Sequence, residues 1–204
     1  MIVGIVLAAG RSSRLGRPKQ LLPVGGEPLL RYTLGRVLAS SLDQVTVVVG
    51  HEADEVRAAL AGFPVGLVLN PDAALGQSTS VIAGMLALPP ETEAAVMLLG
   101  DQPEVEPTVI DALIAAWRET RAPVVAPRYS DGMGNPVLFD RSLFPELTTL
   151  AGDTGARPIV LAHRNADTLL LVPVASPAPP DVDTEEDYAA LLASLPPAAP
   201  PSAT

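Results

Sequence analysis

Residues 2–8, Ile-Val-Gly-Ile-Val-Leu-Ala, form an unbroken apolar run with no side chain suited to water. A strand with one wet face alternates polar and apolar residues. A strand apolar at every position is buried on both faces, as in the interior of a parallel sheet covered by helices on each side. The chain repeats that requirement at Val45–Val49 and Ala94–Leu99, with a shorter run at 65–69. Between these runs the period changes. Residues 28–40 place Leu30, Leu34, Val37 and Leu38 on one helical stripe, and 52–60, 78–87 and 107–120 also read as helices. Pro107 stands at the opening turn of the last, where a missing N–H is harmless. Such alternation predicts a three-layer α/β/α sheet with mostly parallel strands. The second half is less regular. Strands are expected at 124–126, 136–139 and 169–174, and helices at 157–162 and 184–194. The length suits one domain over 1–194. The Pro/Ala-rich end, 195–204, is expected to be a disordered tail because it offers little to bury.

Charge narrows the partners. The net charge of −10 argues against nucleic acid or an anionic membrane. Within this acidic chain, Arg11, Arg14, Arg17 and Lys19 cluster in nine residues, with no acid before Glu27. Lys19 is the only lysine, a compact point charge where every other fixed cation is arginine. The pattern suits a pocket for a small polyanion. There is no cysteine, which removes disulfides, thiolate metal sites and cysteine nucleophiles and fits a reducing compartment. The apolar start lacks a basic leader and is too short to span a bilayer, so the expected location is the cytoplasm.

The basic cluster begins between Gly10 and Gly16, directly after the first strand. It is neither a P-loop nor Gly-x-Gly-x-x-Gly, but it shares their physics. Glycines admit a ligand to the backbone, successive N–H groups face its oxygens, and cations neutralise it. Gly100-Asp101-Gln102-Pro103 follows the apolar strand at 94–99, at the end where open α/β sheets bind ligands. A carboxylate there suits Mg²⁺, though Asp101 also fits a simple turn. In Asp181-Val-Asp183-Thr-Glu-Glu-Asp187, Asp183 or Thr184 serves as an N-cap, or Asp183 is a second carboxylate for the same metal. Gly76-Gln77-Ser78-Thr79-Ser80 opens a helix, and its polar groups suit capping or reading a base edge. His51 and His163 are isolated and read as structural or exposed.

Leu7-Ala-Ala-Gly-x3-Arg14-Leu-Gly-x2-Lys19, Gly100-Asp-Gln-Pro and Asp181-Val-Asp183-Thr-x2-Asp-Tyr together resemble the MobA-like nucleotidyltransferases. Gly76-Gln-Ser-Thr-Ser80, Gly134-Asn-Pro-Val-Leu-Phe139 and Gly152-Asp-Thr-Gly-Ala-Arg157 extend the likeness toward molybdenum cofactor cytidylyltransferases of the MocA type. The resemblance covers about residues 2–193. It implies a Rossmann-like mixed sheet of the nucleotide-diphospho-sugar transferase type. It also implies a nucleotide site built from Leu7, Ala8, Ala9, Gly10, Lys19, Asn70, Gly76, Gln77, Ser78 and Ser80. Arg14 and Lys19 would bind the triphosphate, with Asp101 and Asp183 holding Mg²⁺. Arg14, Lys19 and Asp101 are the implied catalytic set. Ala9 stands where guanylyl-transferring members carry glycine, which points to CTP. The implied acceptor is molybdopterin, with a molybdoenzyme as eventual recipient. Two departures are visible: Leu15 replaces the usual methionine, and Glu185 replaces a proline common after Asp-Thr.

Three other functions compete with that expectation. The first keeps the chemistry and changes the acceptor to a sugar, alditol or isoprenoid-precursor phosphate. A non-catalytic carrier of the molybdenum cofactor would bind without releasing pyrophosphate. A nicotinamide-dependent oxidoreductase is disfavoured by the absence of Gly-x-Gly-x-x-Gly after the first strand.

Overall fold

The computed structural model describes residues 1–12 and 14–195. In chain order the elements are β1 (Ile2–Leu7), β2 (Pro23–Val24), β3 (Glu27–Pro28), α1 (Leu29–Leu38), β4 (Gln44–Val49), α2 (Ala53–Ala59), β5 (Gly66–Leu69), α3 (Gln77–Leu86) and β6 (Ala94–Leu99). The second half adds α4 (Pro107–Thr120), β7 (Val124–Tyr129), β8 (Gly132–Met133), β9 (Val137–Asp140), α5 (Phe144–Leu147), α6 (Arg157–Asn165), β10 (Leu169–Pro173) and α7 (Glu185–Ser194). The main sheet has the order β10-β7-β9-β6-β1-β4-β5, with β8 paired to β7. Contacts of β1 with β4 and β6, and of β4 with β5, are parallel, whereas β9 runs antiparallel to β6 and β7. The expected three-layer mixed sheet is therefore what the chain forms.

The inner strands are buried on both faces for the reason their sequences require. Val6, Val47, Val96 and Leu98 join Leu34, Ile110 and Trp117 in one core. Ile5, Val48, Ala95 and Met97 face the opposite way and pack with Val81, Met85, Ile159 and Val160. Strand side chains alternate between the faces, so adjacent residues of one apolar run serve different cores. A smaller third cluster joins Leu15, Leu22, Val24 and Leu29 to Val182, Tyr188 and Leu191, fastening α7 to the N-terminal segment. Among the described residues no helix is long and apolar enough to cross a membrane.

Close contact fixes α3 against the sheet. A Cβ added at Gly84 would lie 2.5 Å from Ile5 Cγ2 and 3.2 Å from Val48 Cγ2. Both neighbours are branched chains in the sheet and cannot swing away. Gly84→Ala is expected to destabilise the fold by about 1–3 kcal/mol, despite alanine's better helix propensity. Urea unfolding monitored by circular dichroism checks this, and unchanged stability would contradict the packing.

Most expected elements recur with ends moved by a residue or two. β9 begins at Val137 because Pro136 has no N–H to give the ladder. Three short features went unread. The β2–β3 ladder turns at Gly25-Gly26, whose φ values of 60° and 92° are the left-handed conformations of a tight hairpin. The others are β8 and the single-turn α5. The expected tail lies outside the described residues from 196 onward.

Candidate active site

The chain passes from β1 to β4 and β5 on one side, then returns to lay β6 on the other side of β1. This reversal opens a crevice at the carboxyl ends of β1 and β6, where open α/β sheets place ligands. Leu7 pairs in register with Leu99, so both strands end at the same level. The Ala8–Gly10 segment and Gly100-Asp101 therefore leave the sheet side by side. Gly100 N–H donates to the Leu7 carbonyl at 2.9 Å, and Ala8 N–H donates to the Val48 carbonyl at 2.9 Å.

The basic loop folds back over this crevice and is held from within. Gln20, 3% exposed, donates through Nε2 to the carbonyls of Ala8 at 2.9 Å and Gly10 at 3.0 Å. Ser12 Oγ accepts from the Lys19 N–H at 3.0 Å. These bonds set where Lys19 starts. Gln20 was not singled out by its sequence, although a polar residue beside the unique lysine was a usable signal. Gln20→Ala is expected to cost about 1–3 kcal/mol of stability, because the carbonyls it serves lose their donor. Thermal unfolding tests it, and an unaltered melting curve would refute the assigned support.

The third part arrives from the far end of the sequence. The Val182 N–H donates to the Asp101 carbonyl at 2.9 Å, and Val182 itself is buried in the third cluster. Thr184 and Asp187 form a capping box at the start of α7, with the Asp187 N–H donating to Thr184 Oγ1 at 3.2 Å. Thr184, not Asp183, is thus the cap. The Asp183 carboxylate is left to face inward.

The three parts meet at one ammonium. Lys19 Nζ donates to Asp101 Oδ2 and, at 2.7 Å, to Asp183 Oδ1. Arg14 Nη1 donates to Asp183 Oδ2 at 2.9 Å. Arg17 forms a forked pair with Glu185 at 2.8 and 2.9 Å, so the residue standing in place of a proline clamps the loop to α7. Burial opposes the charge on Lys19, but Asp101 and Asp183 outweigh it and raise its pKa. The hydrogen bond from Lys19 holds the Asp183 carboxyl below its usual value, against the opposing effect of burial. Nearby, burial and then the Asp101 charge push Asp181 upward.

A cavity of about 660 Å³ opens over this cluster. Leu7, Ala8, Ala9, Gly10, Lys19, Gly76, Gln77, Ser80, Asp101 and Asp183 line it, together with Arg11 and Asp153. Arg14 borders a small adjoining recess with Gly10, Ser12, Lys19 and Asp183. Two further residues named from sequence lie outside both linings. Asn70 donates through Nδ2 to Thr79 Oγ1 and Ser80 Oγ, both at 2.9 Å, and its Oδ1 accepts from the Asp72 N–H at 3.0 Å. Ser78 is wholly buried and donates to the Ala151 carbonyl at 3.1 Å. Both brace the start of α3. The Gln77 N–H is capped from a distant segment, by Asp153 Oδ1 at 2.9 Å.

The donor set suits a hard divalent cation. Two carboxylates from distant segments reach the same cationic group, so they also lie close enough to share a metal. Mg²⁺ binds through one or two protein carboxylates and completes its shell with phosphate oxygens and water. Among the described residues no cluster of three or more His, Cys, Asp or Glu side chains forms a metal cage. A cation held by these two carboxylates would take its remaining ligands from substrate and solvent.

The MobA-like NTP transferase domain matches residues 4–167. Nicotine blue oxidoreductase of Paenarthrobacter nicotinovorans is 33% identical over 163 residues, covering 76% of this chain and 79% of that protein. The purine catabolism protein PucB of Bacillus subtilis is 31% identical over 197 residues, covering 92% and 94%. Among solved structures, Rv0371c of Mycobacterium tuberculosis in complex with manganese superposes with a TM-score of 0.83 at 35% identity. That match covers 95% of this chain and 99% of the other.

Proposed function

The chain belongs to the MobA-like NTP transferase family, and from that premise we propose that it transfers a cytidylyl group from CTP to the terminal phosphate of molybdopterin. The observation that carries the reading is the convergence of Lys19, Asp101 and Asp183 beside the open backbone of Ala8–Gly10.

In this reading the backbone of Ala8–Gly10 lies along the nucleotide, with Gly76, Gln77 and Ser80 at its base end. Lys19 exchanges its two carboxylates for the triphosphate, and Arg14 follows from the adjoining recess. Asp101 and Asp183 would hold Mg²⁺ or Mn²⁺, which when bound neutralises phosphate charge. The related Rv0371c structure is a complex with manganese, which supports a role for a divalent ion. An acceptor phosphate oxygen attacks the α-phosphorus, forming a new P–O bond as the α–β anhydride bond breaks and pyrophosphate leaves. The attacking group is already anionic, so little general-base help is needed. This chain's contribution is alignment and charge neutralisation. CTP is favoured by Ala9 at the position where guanylyl-transferring members carry glycine.

The test is to measure pyrophosphate release with CTP, GTP, ATP and UTP, each with Mg²⁺ or Mn²⁺ and with molybdopterin or an alditol phosphate. Release with CTP and molybdopterin is expected. Release only with an alditol phosphate would replace the acceptor. Binding without release would make the protein a carrier. One observation favours a second reading: a relative of 33% identity is named an oxidoreductase. Tight binding of NADH or NADPH, with oxidation of the cofactor by a dye, would favour it over nucleotidyl transfer.

A further inference from the structure

Asp183 is held by the same groups that a triphosphate would engage. Among the described residues its carboxylate accepts from Lys19 at 2.7 Å and from Arg14 at 2.9 Å. Both cations border the crevice or its recess, and in the transferase reading both turn to the triphosphate. Among the described residues three ion pairs join the basic loop to the α7 segment: Arg14–Asp183, Lys19–Asp183 and Arg17–Glu185. Binding a polyanion would therefore draw away the first two.

The third pair stands apart from the crevice. Arg17 lies two residues before Lys19 and Glu185 two residues after Asp183, so it repeats the Lys19–Asp183 contact one step outward. Neither residue lines the cavity or the recess. Arg17 Nη2 donates to both Glu185 oxygens, at 2.8 and 2.9 Å, and Nε donates to Oε1 at 3.1 Å. The guanidinium lies 5.7 Å from the centre of the Tyr188 ring, whose hydroxyl donates to the Pro23 carbonyl at 2.5 Å. Glu185 opens α7, where a negative charge suits the helix dipole. The two side chains are 49% and 55% exposed, so screening leaves the pair little to add to folding stability. What a fork of charge-assisted hydrogen bonds supplies is direction. The apolar seam of Leu15, Leu22, Val182 and Tyr188 joins the same segments without directional preference. Because Glu185 replaces the proline of the family pattern, this pair belongs to this chain and not to the motif.

We propose that Arg17 and Glu185 are positioning residues. They form a clasp that keeps Asp183 placed to hold the divalent ion once Lys19 and Arg14 have turned to the triphosphate. This rests on the transferase reading, in which those two cations change partners.

The test is calorimetry on the full chain, measuring the affinity of α,β-methylene-CTP as its Mn²⁺ complex and again in EDTA. Inorganic tripolyphosphate is run beside it as a polyanion without a base. Glu185→Gln and Arg17→Gln should each weaken the Mn²⁺ complex about fivefold and leave the metal-free analogue within about twofold. Both forms are titrated into the same sample, so any loss of folded protein cancels in their ratio. The double variant should lose no more than either single one, since the pair acts as a unit. Equal weakening of both forms would mark a merely structural contact and overturn the proposal. Multiplied losses in the double variant, or no loss in any variant, would do the same. If the CTP analogue fails to bind while tripolyphosphate shows the expected split, the clasp stands and cytidylyl transfer falls. If neither polyanion binds the wild type, both readings fall.

Discussion

Lys19→Ala is expected to lower kcat/KM for nucleotidyl transfer by about 30- to 1000-fold, a loss of about 2–4 kcal/mol in transition-state stabilisation. Lys19 is the group nearest to both carboxylates, and its side chain is only 13% exposed, so water cannot replace its charge well. The variant should also bind Mn²⁺ more tightly without nucleotide, since the ammonium no longer competes for Asp101 and Asp183. Calorimetry with MnCl₂ separates this from simple misfolding. Lys19→Arg should not restore activity, because a planar guanidinium does not fit where a compact ammonium bridges two acids. Near-wild-type turnover in the purified alanine variant would remove Lys19 from the mechanism.

The pH dependence of stability follows from the same contacts. Asp183 has a lowered pKa, so its contribution is present above the usual 3.8 and is lost as pH falls through the lowered value. Lys19 has a raised pKa, so its contribution is present below the usual 10.5 and is lost as pH rises through the raised value. The stability difference between wild type and Lys19→Ala should therefore stay level between those limits and shrink beyond them. Denaturant titrations across pH would show this. A difference that changed steadily near neutrality would mean that other groups set it.

Asp101→Asn is the second large effect, again about 2–4 kcal/mol in kcat/KM. The amide keeps the shape of the carboxylate and loses its charge. Nucleotide affinity measured without a divalent ion should hold or improve, because one negative charge facing the triphosphate is gone. Activity at saturating nucleotide should need more Mg²⁺ or Mn²⁺ than wild type. A variant with normal metal requirement and normal turnover would place the metal away from Asp101. Asp183 keeps its own bonds to Lys19 and Arg14, so loss of folding is not expected to mask the result.

The fold was largely legible because its signals are local. Ile2–Leu7 and Ala94–Leu99 are apolar throughout and Gln44–Val49 apart from Gln44 and Thr46, and few structures besides an inner parallel strand satisfy such runs. Gly25-Gly26 carried an equally local signal for the β2–β3 turn. The hydroxyls and amides were harder, since their type does not say which partner they take. Asn70 and Ser78 read as ligand contacts, and in the fold Asn70 bonds Thr79 and Ser80 while Ser78 bonds the Ala151 carbonyl. Gln20, not singled out by its sequence, holds the loop that presents Lys19.

What the sequence determined by itself was the sheet, the glycine-bounded basic loop and the family, because apolar period and motif spacing are properties of neighbouring residues. What the tertiary structure decided was that residues 19, 101 and 183 meet. Strand order puts β6 beside β1, and buried Val182 brings the last acid across from the other end of the chain. Convergence of this kind depends on packing between segments 82 and 164 residues apart, and no local pattern encodes such a distance.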